Sequence, residues 1–262
     1  MVIENHFCER NVQEILDVTV VQADNSTFRR ESEVTVEHFM EIYLGGQPVL
    51  KLVCTPENLA ELAVGRLVSD GYIAGEQDIE SIFADESGQH VKVYLTNKML
   101  PEAFLKTELS FCTTNRQVYA LKNETMAVLP KAYYSAEWIF ELAKEFAKGS
   151  RIHKNTKGAH SCLLMYNGKI VYGAEDIGRH NALDKAVGYA VMNGFDRENC
   201  IVFTSGRVPV DMAQKVIRAR IPIIVSKAVP TYAAVRLAKE YNLTLICKAW
   251  QDSYEVFHDA EE

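Results

Sequence analysis

Short apolar runs alternate with segments of helical length between residues 168 and 249, and this alternation limits the possible fold more than any other feature of the sequence. The helical segments carry apolar residues at intervals of three and four, whereas three of the four short runs are mostly apolar. The predicted strands are residues 168–176, 200–204, 221–227 and 243–249, and the predicted helices are residues 181–193, 211–220 and 231–241. This order predicts an α/β fold with a mostly parallel sheet and helices on both of its faces.

Polar and cationic residues follow the predicted strands. In sheets of this kind, ligands bind outside the carboxyl ends of the strands, so residues 175–181, 204–207, 226–231 and 248–250 are expected to share one edge. These segments contain arginines, lysines, a histidine, hydroxyls and glycines, and helices begin just beyond them. Together they are typical of a phosphate or pyrophosphate site.

Each piece has a purely structural alternative. Taken alone, S-G-R is usually a turn, Asp176 and Arg179 can form a structural ion pair, and His180 can simply begin a helix. The repetition of the same chemistry after three strands favours an anion-binding site.

The first hundred residues predict strands and one helix. Runs at residues 34–44 and 48–54 are joined by Gly45-Gly46, which indicates a hairpin. Thr55 is predicted to cap a helix with Pro56 in its first turn, and a strand pair is expected at residues 79–84 and 90–95. The predicted buried face of that helix comprises Leu59, Leu62, Ala63 and Leu67, with Gly71 ending it. Residues 110–130 predict a long connection, and a helix capped by Ser135 and ended by Gly149 follows.

Charge and composition narrow the functional class. The net charge of −7 argues against coating nucleic acid. No run approaches the about 20 apolar residues of a membrane-spanning helix, and the first ten residues do not resemble a signal peptide, so a cytoplasmic protein is expected. Six scattered cysteines include no C-x-x-C pair, and most are expected to be small buried residues.

Several segments resemble a known family. Residues 175–185 read E-D-I-G-R-H-N-A-L-D-K, which is similar to the signature of the formate dehydrogenase accessory sulfurtransferase (FdhD/NarQ) family. Five further segments match it, at residues 54–59, 62–65, 157–160, 204–207 and 230–231, although residues 157–160 read K-G-A-H where the family usually has G-G-V-H. The resemblance covers roughly residues 33–255.

The resemblance implies both an architecture and an activity. It implies a smaller α+β domain at residues 1–109, a connecting loop at 110–134, and a larger domain resembling the cytidine deaminase fold at 135–262. Family members pass persulfide sulfur from a cysteine desulfurase to the molybdenum bis(molybdopterin guanine dinucleotide) cofactor of formate dehydrogenase, and a homodimer is expected. The zinc pattern of deaminases is missing, because the chain has no P-C-x-x-C motif and no Glu follows His160.

The cofactor-binding residues implied by the motifs and by the predicted edge form one set, for which a guanine nucleotide would be a surrogate ligand. They are His160, Asp176, Gly178, Arg179, His180, Asn181, Ser205, Gly206, Arg207, Pro230, Thr231, Lys248, Ala249, Trp250, Gln251, Asp252 and Ser253. In this set Lys248 could supply charge, and Trp250 could either stack on a guanine or simply pack.

The sequence departs from the family at the loop that usually reads C-G-x-C-G and carries the sulfur. In one alignment Cys112 takes the first cysteine position and Asn115 the second; in the other, Gln117 and Ala120 take both positions and Lys122 matches a lysine that commonly follows. Cys112 is therefore the candidate catalytic thiol, with Arg116 or Lys122 favouring its thiolate.

Three hypotheses remain open at this point. The chain is a sulfurtransferase using Cys112 alone, or a cofactor-binding, chaperone-like relative without sulfur chemistry. A nucleotide-processing enzyme on the deaminase-like fold is the third, and the missing zinc pattern counts against it.

Overall fold

The structure is a computed structural model, and it describes residues 1–97 and 126–260. In chain order, the first part contains β1 (Val2–Asn5), β2 (Gln13–Val21), β3 (Thr27–Thr35), β4 (His38–Leu44), β5 (Gln47–Cys54), α1 (Leu59–Ser69), β6 (Ile79–Ala84) and β7 (His90–Leu95). The second part contains α2 (Ala136–Ala147), α3 (Arg151–Thr156), β8 (His160–Tyr166), β9 (Lys169–Asp176), α4 (Arg179–Met192), β10 (Cys200–Thr204), α5 (Val210–Arg218), β11 (Ile223–Ser226), α6 (Tyr232–Tyr241), β12 (Thr244–Cys247) and β13 (Glu255–His258). Within this part of the chain, no helix is both long and apolar enough to span a bilayer.

The second half forms a six-stranded mixed sheet with the order β13-β12-β11-β10-β8-β9. Strands β10, β11 and β12 are parallel neighbours, as the alternation predicts. Strands β8 and β9 form an antiparallel hairpin, and β8 is antiparallel to β10, so β9 runs in the same direction as β10. The predicted α/β class is therefore confirmed, and the antiparallel strands β8 and β13 make the sheet mixed.

Helices cover both faces of this sheet. Alternate side chains of its strands, including Cys162, Val202 and Ile224, belong to the same apolar cluster as α4, α5 and α6. The opposite set, including Ile201, Phe203 and Val225, packs with α2 through Ile139 and Leu142. This division follows from the two-residue period of a strand, which sends successive side chains to opposite faces.

The first half forms a five-stranded sheet with the order β1-β6-β7-β4-β5. The predicted hairpin at Gly45-Gly46 and the strand pair β6–β7 are both present. Helix α1 packs on this sheet and also on α4, so it joins the two halves.

Two glycines allow α1 and α4 to approach each other closely. A Cβ on Gly65 would lie 1.7 Å from the carbonyl oxygen of Asp184, and a Cβ on Gly188 would lie 1.8 Å from that of Glu61. Only glycine fits at such contacts, so the crossing brings the two backbones together. One apolar cluster consequently runs through both halves of the molecule. The division into residues 1–109, 110–134 and 135–262 remains a prediction.

Strands β2 and β3 form a separate two-stranded ribbon. Its base is fixed to α3, where the Thr35 hydroxyl donates a hydrogen bond of 2.9 Å to Thr156. Neither strand is part of the two larger sheets. The run predicted at residues 34–44 is therefore divided, because Val34 and Thr35 end β3 and the following strand begins at His38.

The predicted cap of α1 is wrong. The helix begins at Leu59 after Asn58, which has the left-handed φ of 52°. Thr55 instead binds the carboxylate of Asp176, 121 positions later in the chain. By contrast, the Ser135 cap is confirmed, since its hydroxyl accepts the backbone N–H of Trp138.

Candidate functional site

The carboxyl ends of β9, β10, β11 and β12 meet at one edge of the six-stranded sheet, because these four strands run in the same direction. Strand β8 runs the opposite way, so its first residue, His160, lies at the same edge, opposite Asp176. We call the turns after these four strands, residues 177–180, 205–209, 227–231 and 248–253, together with His160, the rim.

Hydrogen bonds connect neighbouring turns of the rim. The Ser226 hydroxyl donates to the Gly206 carbonyl at 2.7 Å, and the Lys227 N–H donates to the Thr204 carbonyl at 3.2 Å. The Ala249 N–H donates to the Ser226 carbonyl at 3.0 Å. The turns after β10, β11 and β12 are therefore fixed relative to each other before any ligand binds.

The carboxylate of Asp176 organises the start of α4 from below the rim. It is fully buried, and it accepts the N–H of Gly178 at 3.0 Å and the side-chain amide of Asn181 at 2.9 Å. Its other oxygen accepts from Thr55 and forms an ion pair of 2.8 Å with the buried ammonium of Lys185. Asp176 thus pairs with Lys185 rather than with Arg179. Asp176 and Asn181, two of the predicted ligand residues, therefore act as supports.

Arg179 begins α4 and packs against the S-G-R turn. A Cβ added to Gly206 would lie 2.9 Å from the Arg179 Cδ, so this glycine leaves the room that the arginine stem occupies. The Nε of Arg179 is buried and has no hydrogen-bond acceptor among the described residues. A buried donor without an acceptor is unfavourable, and an anion at the rim would supply one.

His160 lies beside Arg179 and contacts the turn after β10. Its Nδ1 is 3.1 Å from the Ser205 hydroxyl, and that hydroxyl accepts the Ser161 N–H at 3.1 Å. Burial lowers the pKa of His160, and the positive charge of Arg179 lowers it further. The imidazole is therefore neutral near neutral pH. The contact with the Ser205 hydroxyl holds the ring in place, and whether Nδ1 donates or accepts in it depends on the tautomer of His160.

His180 is oriented by a carboxylate that the sequence analysis did not include. Its Nε2 lies 2.9 Å from Asp211 Oδ2, in the first turn of α5. The Asp211 carboxylate is held in turn by the Met212 N–H. Although burial opposes it, the hydrogen bond from His180 lowers the pKa of Asp211, with a further contribution from Arg179. This arrangement fixes the ring of His180 at the start of α4.

The last turn of the rim borders a cavity of about 710 Å³. The cavity lies between the end of α2 and the turns after β11 and β12. Its lining comprises Ala143, Phe146, Ala147, Lys227, Ala249, Trp250, Gln251, Asp252 and Ser253. The Lys227 ammonium lies 5.0 Å from the Trp250 ring and 5.5 Å from the Phe146 ring, both within cation–π range. Five of the predicted residues, among them Trp250, therefore line one cavity together with Phe146 and the Lys227 ammonium.

The remaining predicted residues have varied roles. Arg207 is exposed on the rim, so its guanidinium is accessible to a ligand. Thr231 caps α6, and Pro230 is bridged to Val208. Lys248 forms an ion pair of 2.8 Å with Glu255 on β13. The cation of this cavity is therefore Lys227, which lies in the predicted post-strand segment 226–231 but is not one of the predicted ligand residues.

Four of the cysteines are buried and unsuited to nucleophilic chemistry. Burial raises the pKa of Cys54 and Cys162, and it raises the pKa of Cys200 and Cys247 to about 12. The interpretation of these residues as core is confirmed. Cys8 is exposed, whereas Cys112, Arg116 and Lys122 lie outside the described residues. Within residues 1–97 and 126–260, no three His, Cys, Asp or Glu side chains are grouped to hold a metal ion.

Comparison with known proteins agrees with the sequence motifs that form the rim. The model of the FdhD/NarQ family matches residues 35–262. The chain belongs to the FdhD/NarQ family. The sulfur carrier protein FdhD of Listeria monocytogenes is 34% identical over 223 residues, which are 82% of this chain and 85% of that protein. The protein of the same name from Bacillus subtilis is 30% identical over 239 residues, covering 88% of this chain and 90% of the relative.

A solved structure has the same fold. A crystal structure from Desulfotalea psychrophila, named as a candidate formate dehydrogenase accessory protein, superimposes with a TM-score of 0.79. It is 24% identical and covers 96% of this chain and 99% of its own chain. The arrangement of two sheets joined by packed helices is therefore shared with that structure.

Proposed function

We propose that this protein is a sulfur carrier for formate dehydrogenase, and that it binds the molybdenum bis(molybdopterin guanine dinucleotide) cofactor as its substrate. In this proposal it receives persulfide sulfur from a cysteine desulfurase and transfers it to the cofactor. Family membership and the shared name of its curated relatives support the sulfur-carrier role. The observation that carries the cofactor proposal is the anion-binding chemistry of the rim, centred on the buried Arg179 Nε that has no acceptor in the described residues.

The rim and the cavity fit two different parts of such a cofactor. Arg179 and Arg207 suit pyrophosphate oxygens, and the N-terminus of α4 adds oriented backbone N–H groups. The cavity beside Trp250 offers an aromatic surface on which a guanine can stack, with Asp252 and Gln251 as hydrogen-bonding groups. Lys227 belongs both to the rim and to the lining of the cavity, so in this proposal it contacts a phosphate that joins the two parts.

The proposed sulfur transfer uses Cys112. Its thiolate attacks the outer sulfur of the donor persulfide, and the S–S bond of the donor breaks as a new S–S bond forms on Cys112. The donor leaves as a thiolate, which takes up the persulfide proton. The burial of Cys54, Cys162, Cys200 and Cys247 supports this choice, because a large donor protein cannot reach them. Cys8 is exposed and is the alternative that the experiment must separate.

Guanine nucleotide binding tests the cofactor site. Calorimetry with GDP as the surrogate should give measurable affinity, and Arg179→Ala and Arg207→Ala should each weaken it by about ten- to a hundredfold, as expected for the loss of a charged phosphate contact. Arg218→Ala is the control, since Arg218 lies in the last turn of α5, at the end away from the rim. Unchanged affinity in both folded rim variants would overturn the anion-site proposal.

Mass spectrometry tests the sulfur chemistry independently. After incubation with a cysteine desulfurase and cysteine, the wild-type protein should gain one sulfur atom, about 32 Da, on Cys112. The gain should persist in Cys8→Ala and disappear in Cys112→Ala. A protein that binds GDP but gains no sulfur on any cysteine would instead be a cofactor-binding relative without the transfer chemistry.

A further inference from the structure

A carboxylate and an imidazole face each other at the rim, where the first turns of α4 and α5 meet. His180 is the second residue of α4 and Asp211 is the second residue of α5, and His180 Nε2 lies 2.9 Å from Asp211 Oδ2. The imidazole is 16% exposed and the carboxylate is 33% exposed, so water screens the pair only in part. A carboxylate beside an anion site requires an explanation, because it repels the anion unless a cation neutralises it.

The proton positions of this pair follow from the carboxylate. Although burial opposes it, the hydrogen bond from His180 lowers the pKa of Asp211, so this group is ionised at neutral pH. An ionised carboxylate only accepts hydrogen bonds, so Nε2 of His180 is the donor whether the ring is neutral or cationic. The two forms of the ring therefore differ by the proton on Nδ1, for which residues 1–97 and 126–260 provide no hydrogen-bond partner.

The other charged groups near His180 come from neighbouring elements of the rim. Arg179 precedes it on α4, and Arg207 lies in the turn before α5. Burial lowers the pKa of His160 on β8, and the charges of Arg179 and His180 lower it further, so these three side chains act on one another. Asp176 at the end of β9 is buried and already paired with an ammonium. Among these groups of the described chain, the carboxylate on α5 is thus the one whose contact partner can lose its charge.

We propose that Asp211 is a positioning residue of the cofactor site, and that it holds His180 with protons on both ring nitrogens when a phosphate binds. The inference rests on the proposed function, since the phosphate is that of the bound nucleotide. With the Nδ1 proton present, the pair is neutral and the arginines determine the charge of the site. Without that proton, the pair is negative and repels the phosphate. Phosphate and proton therefore bind together, each raising the affinity for the other by the same factor.

Calorimetry in two buffers of different ionisation enthalpy measures the proton taken up with GDP. At about pH 7.5 the terminal phosphate of GDP is already ionised, because its second pKa is about 6, so the nucleotide itself contributes little. The wild type should take up roughly half a proton per GDP, because imidazoles titrate near neutral pH. The uptake should vanish in His180→Gln and persist in His160→Gln, the matched control in the same rim.

The pH dependence of GDP affinity separates a positioning role from a merely structural one. The Kd of the wild type should rise about tenfold from roughly pH 6.5 to 8.5, as the proton is lost. In Asp211→Asn the rise should begin about one pH unit lower, because a neutral amide no longer favours the imidazolium. Asp211→Glu keeps the charge and should restore the wild-type profile. Adding Asp211→Asn to His180→Gln should recover part of the affinity that His180→Gln loses, because it removes the repelling charge.

The possible results distinguish this role of Asp211 from the proposed function. Three results would overturn the role of Asp211 and leave the cofactor site intact: GDP binding without proton uptake, uptake that His160→Gln abolishes instead, or an Asp211→Asn profile that coincides with the wild type. A wild-type protein that does not bind GDP would overturn both.

Discussion

Replacing Lys185 by methionine should destabilise the protein severely and weaken the candidate site. The Lys185 side chain is fully buried, and its ammonium contacts Asp176 at 2.8 Å, the Thr55 hydroxyl at 2.8 Å and the Glu175 carbonyl at 3.0 Å. Methionine keeps most of the stem volume but leaves the buried Asp176 carboxylate without its opposite charge. Removing one partner of a buried ion pair costs about 3–5 kcal/mol, a large part of the stability of a typical domain.

Urea unfolding followed by circular dichroism measures this effect. The control is Lys148→Met, because Lys148 is 69% exposed in its pair with Glu145 and should lose about 0.5 kcal/mol or less. A second variant, Asp176→Asn combined with Lys185→Met, should recover part of the loss because it removes both charges. A loss for Lys185→Met below about 1 kcal/mol, or equal to the control, would refute the role of this pair.

Three further outcomes are expected. Burial and Arg179 lower the pKa of His160, so as the pH falls below about 6.5 this histidine is protonated in the unfolded chain before it is protonated in the folded protein. The free energy of unfolding of the wild type should therefore decrease more than that of His160→Gln between about pH 7.5 and pH 5.5. Parallel pH profiles of the two proteins would contradict this. Gly206→Ala should displace Arg179 and weaken GDP binding about tenfold with a small change in stability, and unchanged affinity would show that the arginine position is not critical. Lys227→Met should weaken GDP binding in calorimetry more than Lys248→Met does, because Lys248 is paired with Glu255 whereas Lys227 faces the cavity. A larger effect of Lys248→Met would show that Lys248, the lysine predicted from the family resemblance, is the functional one.

The position of the rim at the carboxyl ends of the parallel strands was predictable, because it depends on local sequence patterns. Apolar runs and helical spacing locate β10 to β12 and their helices, and parallel strands necessarily place their carboxyl ends together. The β8–β9 hairpin also has a local sequence signal, the dipeptide Asn167-Gly168. Asn167 and Gly168 both adopt positive φ between the two strands, as the dipeptide N-G favours.

Other features depend on contacts between distant positions. Thr55 has the residue type and the following proline of a helix cap, but its side chain is engaged by Asp176 and Lys185 across the molecule. Asp211 and Lys227 become site residues only when α5 and α2 are placed against the rim. Sequence periodicity contains no information about such partners, so these roles required the structure.

The close crossing of α1 and α4 has a consequence for the evolution of this architecture. Because the backbones touch at Gly65 and Gly188, the surface of the second half beneath α1 is shaped to the main chain of that helix. A half recruited without its partner would expose that surface, together with the apolar cluster that both halves share. A recombination event that exchanged either half would therefore have to supply a helix with a glycine at the crossing point.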